Sequence, residues 1–154
     1  MKLFKQSESA SYFLFIMFLI SLFNFLDRQV LSIVQEDVKA DLLLTDSQLG
    51  RLALVFGLTH ALFAIPIGRI TDRKPRKAIL AICLVVWSGF TALCGAVGNF
   101  TMLLFARMGV GMGEAGVTPT SYSLVSDKFP LHKRATALAF LVAGIPVGLS
   151  LIHI

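Results

Sequence analysis

Charge is scarce in this chain. Only 15% of its 154 residues are Asp, Glu, Lys or Arg, against 56% that are apolar. Its mean hydropathy of +0.79 lies far outside the balance a soluble domain shows. Histidine and cysteine are few: three His and two Cys. Cys83 and Cys94 share one apolar run, with no paired spacing and no neighbouring histidine, so they read as small core residues, and no metal or other cofactor is expected. Period-two alternation is missing, which argues against a β-barrel. A small-residue cleavage site is missing after the apolar N-terminal run, which therefore reads as a retained helix rather than a signal peptide. The formal charge of +5 forms no soluble basic face. Its cations sit at the ends of apolar runs, so nucleic acid is not an expected partner.

What remains is long apolar helices. Crossing a bilayer takes about 20 helical residues. After a cytoplasmic N-terminus over 1–10, the sequence offers four such runs, 11–35, 48–70, 78–97 and 101–124, and a fifth, truncated, over 135–148. Backbone groups in lipid must be satisfied within each segment, so an all-α membrane protein is expected, with the bilayer as its first partner. Orientation follows from the cations. Lys2 and Lys5 precede the first run, Arg69, Arg73, Lys74, Arg76 and Lys77 separate the second from the third, and Lys128, Lys133 and Arg134 separate the fourth from the fifth. The opposite connections hold only Lys39 and Arg51, beside Glu36, Asp37, Asp41 and Asp46. The N-terminus is therefore expected inside. The connection at 98–100 is so short that helices three and four must form an antiparallel hairpin.

Asp27, Arg28, Arg107 and Glu114 remain within apolar runs, where each charge costs a few kcal/mol unless it meets a partner or water. Asp27 lies about 22 Å along a core of about 30 Å. It and Arg28 admit two readings: snorkelling toward the headgroups, or a buried role, with Asp27 facing Arg107 at similar depth. Glu114 lies two turns beyond Arg107, nearly mid-membrane. A carboxyl group there is either a neutral, hydrogen-bonded packing element or one whose proton loading follows small structural changes. His60 reads as a packed polar group. Gly109, Gly111 and Gly113, with Gly116, include a Gly-x-x-x-Gly spacing that admits a close helix neighbour, and equally leaves room for a cavity. Pro119 permits a bend near the inner end.

These residues match a family. Gly68-x-x-x-Asp72-Arg73-x-x-Arg76-Lys77 resembles the signature loop between helices two and three of the major facilitator superfamily, and Arg107-x-x-x-Gly111 its helix-four motif. Asn24 to Gln29, Trp87-Ser88, Arg107 to Pro119, Ser126 to Pro130 and Gly144 to Gly148 resemble bacterial spinster-like members more narrowly. The resemblance implies a twelve-helix fold of two six-helix halves that rock about a midplane site, of which this chain is the N-terminal part. It implies secondary active transport rather than enzyme chemistry, in a bacterial inner membrane. Asp27, Arg28, Arg107 and Glu114 would line the substrate and proton pathway. Gly68, Asp72, Arg73, Arg76 and Lys77 would form a cytoplasmic gate, closed by Asp72 against a helix N-terminus or an arginine of the second half. The substrate would be an amphiphile with a charged head, as in animal spinster-like members that carry lysophospholipids and sphingolipid phosphates, coupled to protons. The alternative is an organic-anion symporter, whose members share Asp-Arg in helix one and Gly-x-Glu-Ala before a proline in helix four. A membrane scaffold subunit would need neither the four intramembrane charges nor the loop. Two departures stand out. Pro75 occupies a position where the loop usually has glycine, so its turn must differ. The last six residues, 149–154, match the translation of a transposon end used in sequencing libraries, so the native segment is expected to end near Gly148.

Overall fold

The computed structural model describes residues 2–152. Among them seven helices follow one another: α1 (Lys2–Asp41), α2 (Asp46–Arg73), α3 (Arg76–Cys94), α4 (Phe100–Ala115), α5 (Val117–Lys128), α6 (Leu131–Val142) and α7 (Gly144–Ile152). Four spans are long and apolar enough to cross a bilayer: Ala10–Val30, Asp46–Arg73, Arg76–Cys94 and Leu131–Ser150. The expected foreign tail falls partly on His153 and Ile154, which lie outside the described residues.

Two expected helices are in pieces, each broken for the same reason. The run over 101–124 divides at Gly116 into α4 and α5, and the fifth divides at Ala143 into α6 and α7. Proline has no N–H for the carbonyl four residues before it. Pro119 therefore leaves the carbonyl of Ala115 without its helical donor, and Pro146 does the same to Val142. Those two residues are the last of α4 and α6. At the other end of the chain α1 is longer than the expected 11–35, continuing to Asp41.

The connections differ by side. The acidic-side turns are capped by side chains. Thr45 accepts from the Gln48 backbone while the Gln48 side chain accepts from the Thr45 backbone at 2.8 Å, a reciprocal cap. Asn99 accepts from the Met102 N–H at 2.9 Å. Lys39 and Asp46 form an ion pair across the first turn, and hydrogen bonding to Asp46 raises the Lys39 ammonium above the ordinary lysine range. With a raised lysine the pair's contribution is complete at neutral pH and is lost only as pH climbs through the folded-state value. The basic-side turns start their helices on Pro75 and Pro130 instead, with no side-chain cap. Arg76, Lys77, Lys133 and Arg134 then occupy first turns, where cations oppose the helix dipole. Helix stability does not explain that placement.

The chain forms two compact units. In the first, built from the described parts of 1–30 and 121–154, the Phe140 ring packs at a tilt against Phe18, their centres 5.2 Å apart. A Cβ on Gly144 would come within 3.0 Å of the Leu22 nitrogen, and one on Gly148 within 2.9 Å of the Phe25 ring. These pairs advance together along both segments, so α6–α7 lies parallel to α1, with a Gly144-x-x-x-Gly148 face setting the close approach.

The second unit covers Leu31–Thr120. Here Phe90, Trp87 and Cys83 of α3 meet Gly109, Gly113 and Gly116. One series falls as the other rises, so α3 and α4 are antiparallel. On the other flank Phe56, Thr59 and Ile67 of α2 meet Arg107, Gly111 and Gly116, rising together, so α2 and α4 are parallel. Leu44, Leu52 and Leu103 close one end as a buried apolar cluster. Outward, Leu58, Leu62, Ile65, Ile82 and Val85 are more than half exposed, as lipid-facing side chains are.

Gly113 tests this packing. A Cβ there would come within 2.5 Å of the Trp87 nitrogen and 2.8 Å of its Cα, and backbone atoms do not yield as a flexible side chain would. Gly113→Ala is expected to destabilise the gene product that carries this chain by about 1–3 kcal/mol. Gly68→Ala meets nothing within 4 Å and should stay within about 0.5 kcal/mol of wild type. Thermal unfolding in detergent, followed by loss of the monodisperse peak, compares the two.

Candidate functional site

One face of α4 gathers buried charge. Arg107 and Glu114 are two turns apart and project from the same side. Arg107 is 6% exposed and Glu114 is 0% exposed. Gly111 lies between them on that side, and a Cβ there would come within 2.8 Å of the Phe56 carbonyl oxygen. The missing side chain lets α2 press Phe56 against the arginine. The guanidinium sits 4.7 Å from the centre of the Phe56 ring, where the ring face partly replaces lost water. Phe56 in turn lies 6.0 Å from the His60 ring.

The arginine is only partly satisfied. Its Nε is buried and has no hydrogen-bond partner among the described residues. An unmet buried donor costs about 1–3 kcal/mol, more when charged. A carboxylate matches the planar fork of donors that guanidinium offers, so the arrangement suits an anion. On α3, one turn apart, Trp87 Nε1 and Thr91 Oγ1 are also buried without partners among the described residues. The second unit thus carries polar atoms from two helices that its own packing leaves unmet.

Asp27 and Arg28 belong to the first unit and are half-buried. Asn24 precedes Asp27 by one turn, and Asn24 Nδ2 and Asp27 Oδ2 are buried with no hydrogen-bond partner among the described residues. The expected Asp27–Arg107 pair joins residues of different units and stays an expectation.

The loop residues are placed differently. Asp72, Arg73 and Lys77 are exposed, and Gly68 and Arg76 half-buried. Among the described residues Asp72 has no ion-pair partner. Lys74 is extended at φ −122°, ψ 163°, the conformation a following proline favours, and Pro75 at φ −58°, ψ 109° opens α3. The turn is therefore a two-residue extended link, with no left-handed position for a glycine to fill.

Two participants escape sequence reasoning. Phe56 is one phenylalanine among thirteen, and only its four-residue spacing to His60 hints at a polar neighbour. Thr71, immediately before Asp72, is 2% exposed, and its hydroxyl lies 3.1 Å from that of fully buried Thr120. That bond ties the basic end of α2 to the start of α5.

Comparison with known proteins decides the family. The sequence model of the Major Facilitator Superfamily matches residues 17–152. This chain belongs to the Major Facilitator Superfamily. Within the superfamily it is 31% identical to the Escherichia coli protein named "Probable L-galactonate transporter", over 88% of this chain and 30% of that protein. It is 33% identical to protein spinster homolog 1 of Xenopus tropicalis, over 90% of this chain and 27% of that protein. A crystal structure of a bacterial homologue of the human lysosomal transporter spinster, inward-facing and occupied, superposes with a TM-score of 0.86 at 39% identity, covering 90% of this chain and 30% of that one. The chain thus spans about 30% of the length of the proteins it matches. Its all-helical fold is a superfamily fold, and the relatives are transporters, not enzymes.

Proposed function

We propose that this chain is the N-terminal part of a secondary transporter that moves an anionic small molecule coupled to protons, with its N-terminus and basic connections on the cytoplasmic side. One observation carries the reading: Arg107 is buried against Phe56 with an unmet donor, two turns from fully buried Glu114. A permanently charged guanidinium and a carboxyl group at one apolar face are what an anion and a proton need to bind interdependently. The substrate carboxylate takes the donors of Arg107. Glu114 holds the proton, so that loading the site changes the local charge and biases the rocking of one half against the other. Asp27 and Arg28 complete the pathway. At the cytoplasmic end Asp72 acts as the gate's counter-charge, with Gly68, Arg73, Arg76 and Lys77 around it.

The likeness to L-galactonate and spinster proteins supports two substrate chemistries. The sugar-acid reading rests on the arginine fork. The second, an amphiphile with a charged head, is favoured by the spinster relatives. Thermal stabilisation of the purified gene product separates them, since a ligand at 100 times its Kd adds about 2.7 kcal/mol. L-galactonate is expected to stabilise, and neutral galactitol to leave the protein unchanged. Stabilisation by lysophosphatidylethanolamine alone would select the second reading, and no response to either charged ligand would overturn both.

A further inference from the structure

Between α2 and α3, away from the Arg107 face, runs an apolar groove of about 420 Å³. Its walls are Ile67 and Ile70 of α2 and Ile79, Ile82 and Val86 of α3, with Gly113 of α4 among its lining. The volume falls within the roughly 300–1,000 Å³ of small-molecule sites, and the lining is almost wholly apolar. Ile70 also lines a second depression, whose other walls are Arg69, Arg73 and Lys74. One residue thus joins an apolar slot to a cluster of three cations. A lipid with a negative head and acyl chains has that same pattern. The cations face the headgroup level, because Arg69 and Arg73 stand at the end of the span Asp46–Arg73 and Lys74 follows it directly.

We infer that this groove is a site for an anionic glycerophospholipid, its phosphate held by Arg69, Arg73 and Lys74 and one acyl chain lying along Ile67, Ile70, Ile79 and Ile82. Charge selects the headgroup. Basic pockets between transmembrane helices on the cytoplasmic side bind anionic headgroups. The slot selects a lipid over a free phosphate, because only a lipid has an acyl chain to lie against its apolar walls. A lipid seated there touches α2, α3 and α4 together and lies beside the gate loop. The inference rests on the membrane placement proposed above, and the two fail separately. Side-specific labelling of a Lys74→Cys variant reports the placement, and lipid retention reports the site.

Native mass spectrometry of the gene product, delipidated and then titrated with mixed micelles, tests retention of phosphatidylglycerol against phosphatidylcholine. Wild type is expected to retain phosphatidylglycerol at least tenfold better. Arg69→Gln with Lys74→Gln should remove that preference. Ile82→Trp, which fills the slot at a side chain already 63% exposed and so does not threaten the core, should lower retention of phosphatidylglycerol while leaving the cations intact. Equal retention of the two lipids by wild type, unchanged retention in both variants, or displacement by glycerol 3-phosphate at the same concentration as the lipid would each overturn the inference.

Discussion

Arg107→Ala is expected to weaken binding of an anionic substrate by roughly 30- to 1,000-fold, the equivalent of about 2–4 kcal/mol for truncating one partner of a buried charge pair. The size follows from burial. Arg107 is 6% exposed and backed by the Phe56 ring at 4.7 Å, so water cannot take over as counter-donor once the side chain is gone. Arg107→Lys should recover part of the affinity, since it keeps the charge but loses the fork that meets both carboxylate oxygens. Phe56→Leu should fall between wild type and Arg107→Ala, because it removes the ring face beneath the cation at a cost of about 0.5–2 kcal/mol. Equilibrium binding of L-galactonate to purified, monodisperse protein measures all three. Wild-type affinity in Arg107→Ala would remove the arginine from the substrate pathway.

Glu114→Gln is expected to separate exchange from accumulation. Glutamine nearly matches glutamate in shape and keeps hydrogen-bonding groups at a position with no exposure at all, but it carries no titrating proton. Substrate should still equilibrate by counterflow. Uphill accumulation driven by an imposed pH gradient should be lost. For one proton per substrate a gradient of one pH unit is worth about 1.4 kcal/mol, a tenfold accumulation ratio, so the variant's ratio should fall from about ten to one. Loss of counterflow together with accumulation would make Glu114 a packing group, the alternative that its sequence context leaves open.

Much of the fold was legible because a bilayer imposes a length on apolar runs. The connection at 98–100 forces a hairpin, and α3 and α4 pack antiparallel along it. The break at Gly116 was half visible, since Pro119 announces itself, whereas the matching break before Pro146 is buried in an apolar run that reads as continuous. Charge on α4 was legible because a charge in lipid needs a reason. The groups that give it one were not: Phe56 is indistinguishable in sequence from lipid-facing phenylalanines, and Thr71 meets Thr120 across 49 residues, a separation that local pattern does not span. The glycines show the same limit. Their spacing indicates a close neighbour, but only the packing shows that Gly109 and Gly113 face α3 while Gly111, between them, admits α2 beside the arginine.

Arg107 and Glu114 are proposed to couple an anion to a proton. Accumulation of radiolabelled L-galactonate by proteoliposomes of the complete gene product, in an inward proton gradient with and without a protonophore, tests that coupling most directly. Accumulation above the bath concentration is expected, collapsing to equilibrium when the protonophore is added. Accumulation that survives the protonophore, or no entry of the anion at all, would contradict it.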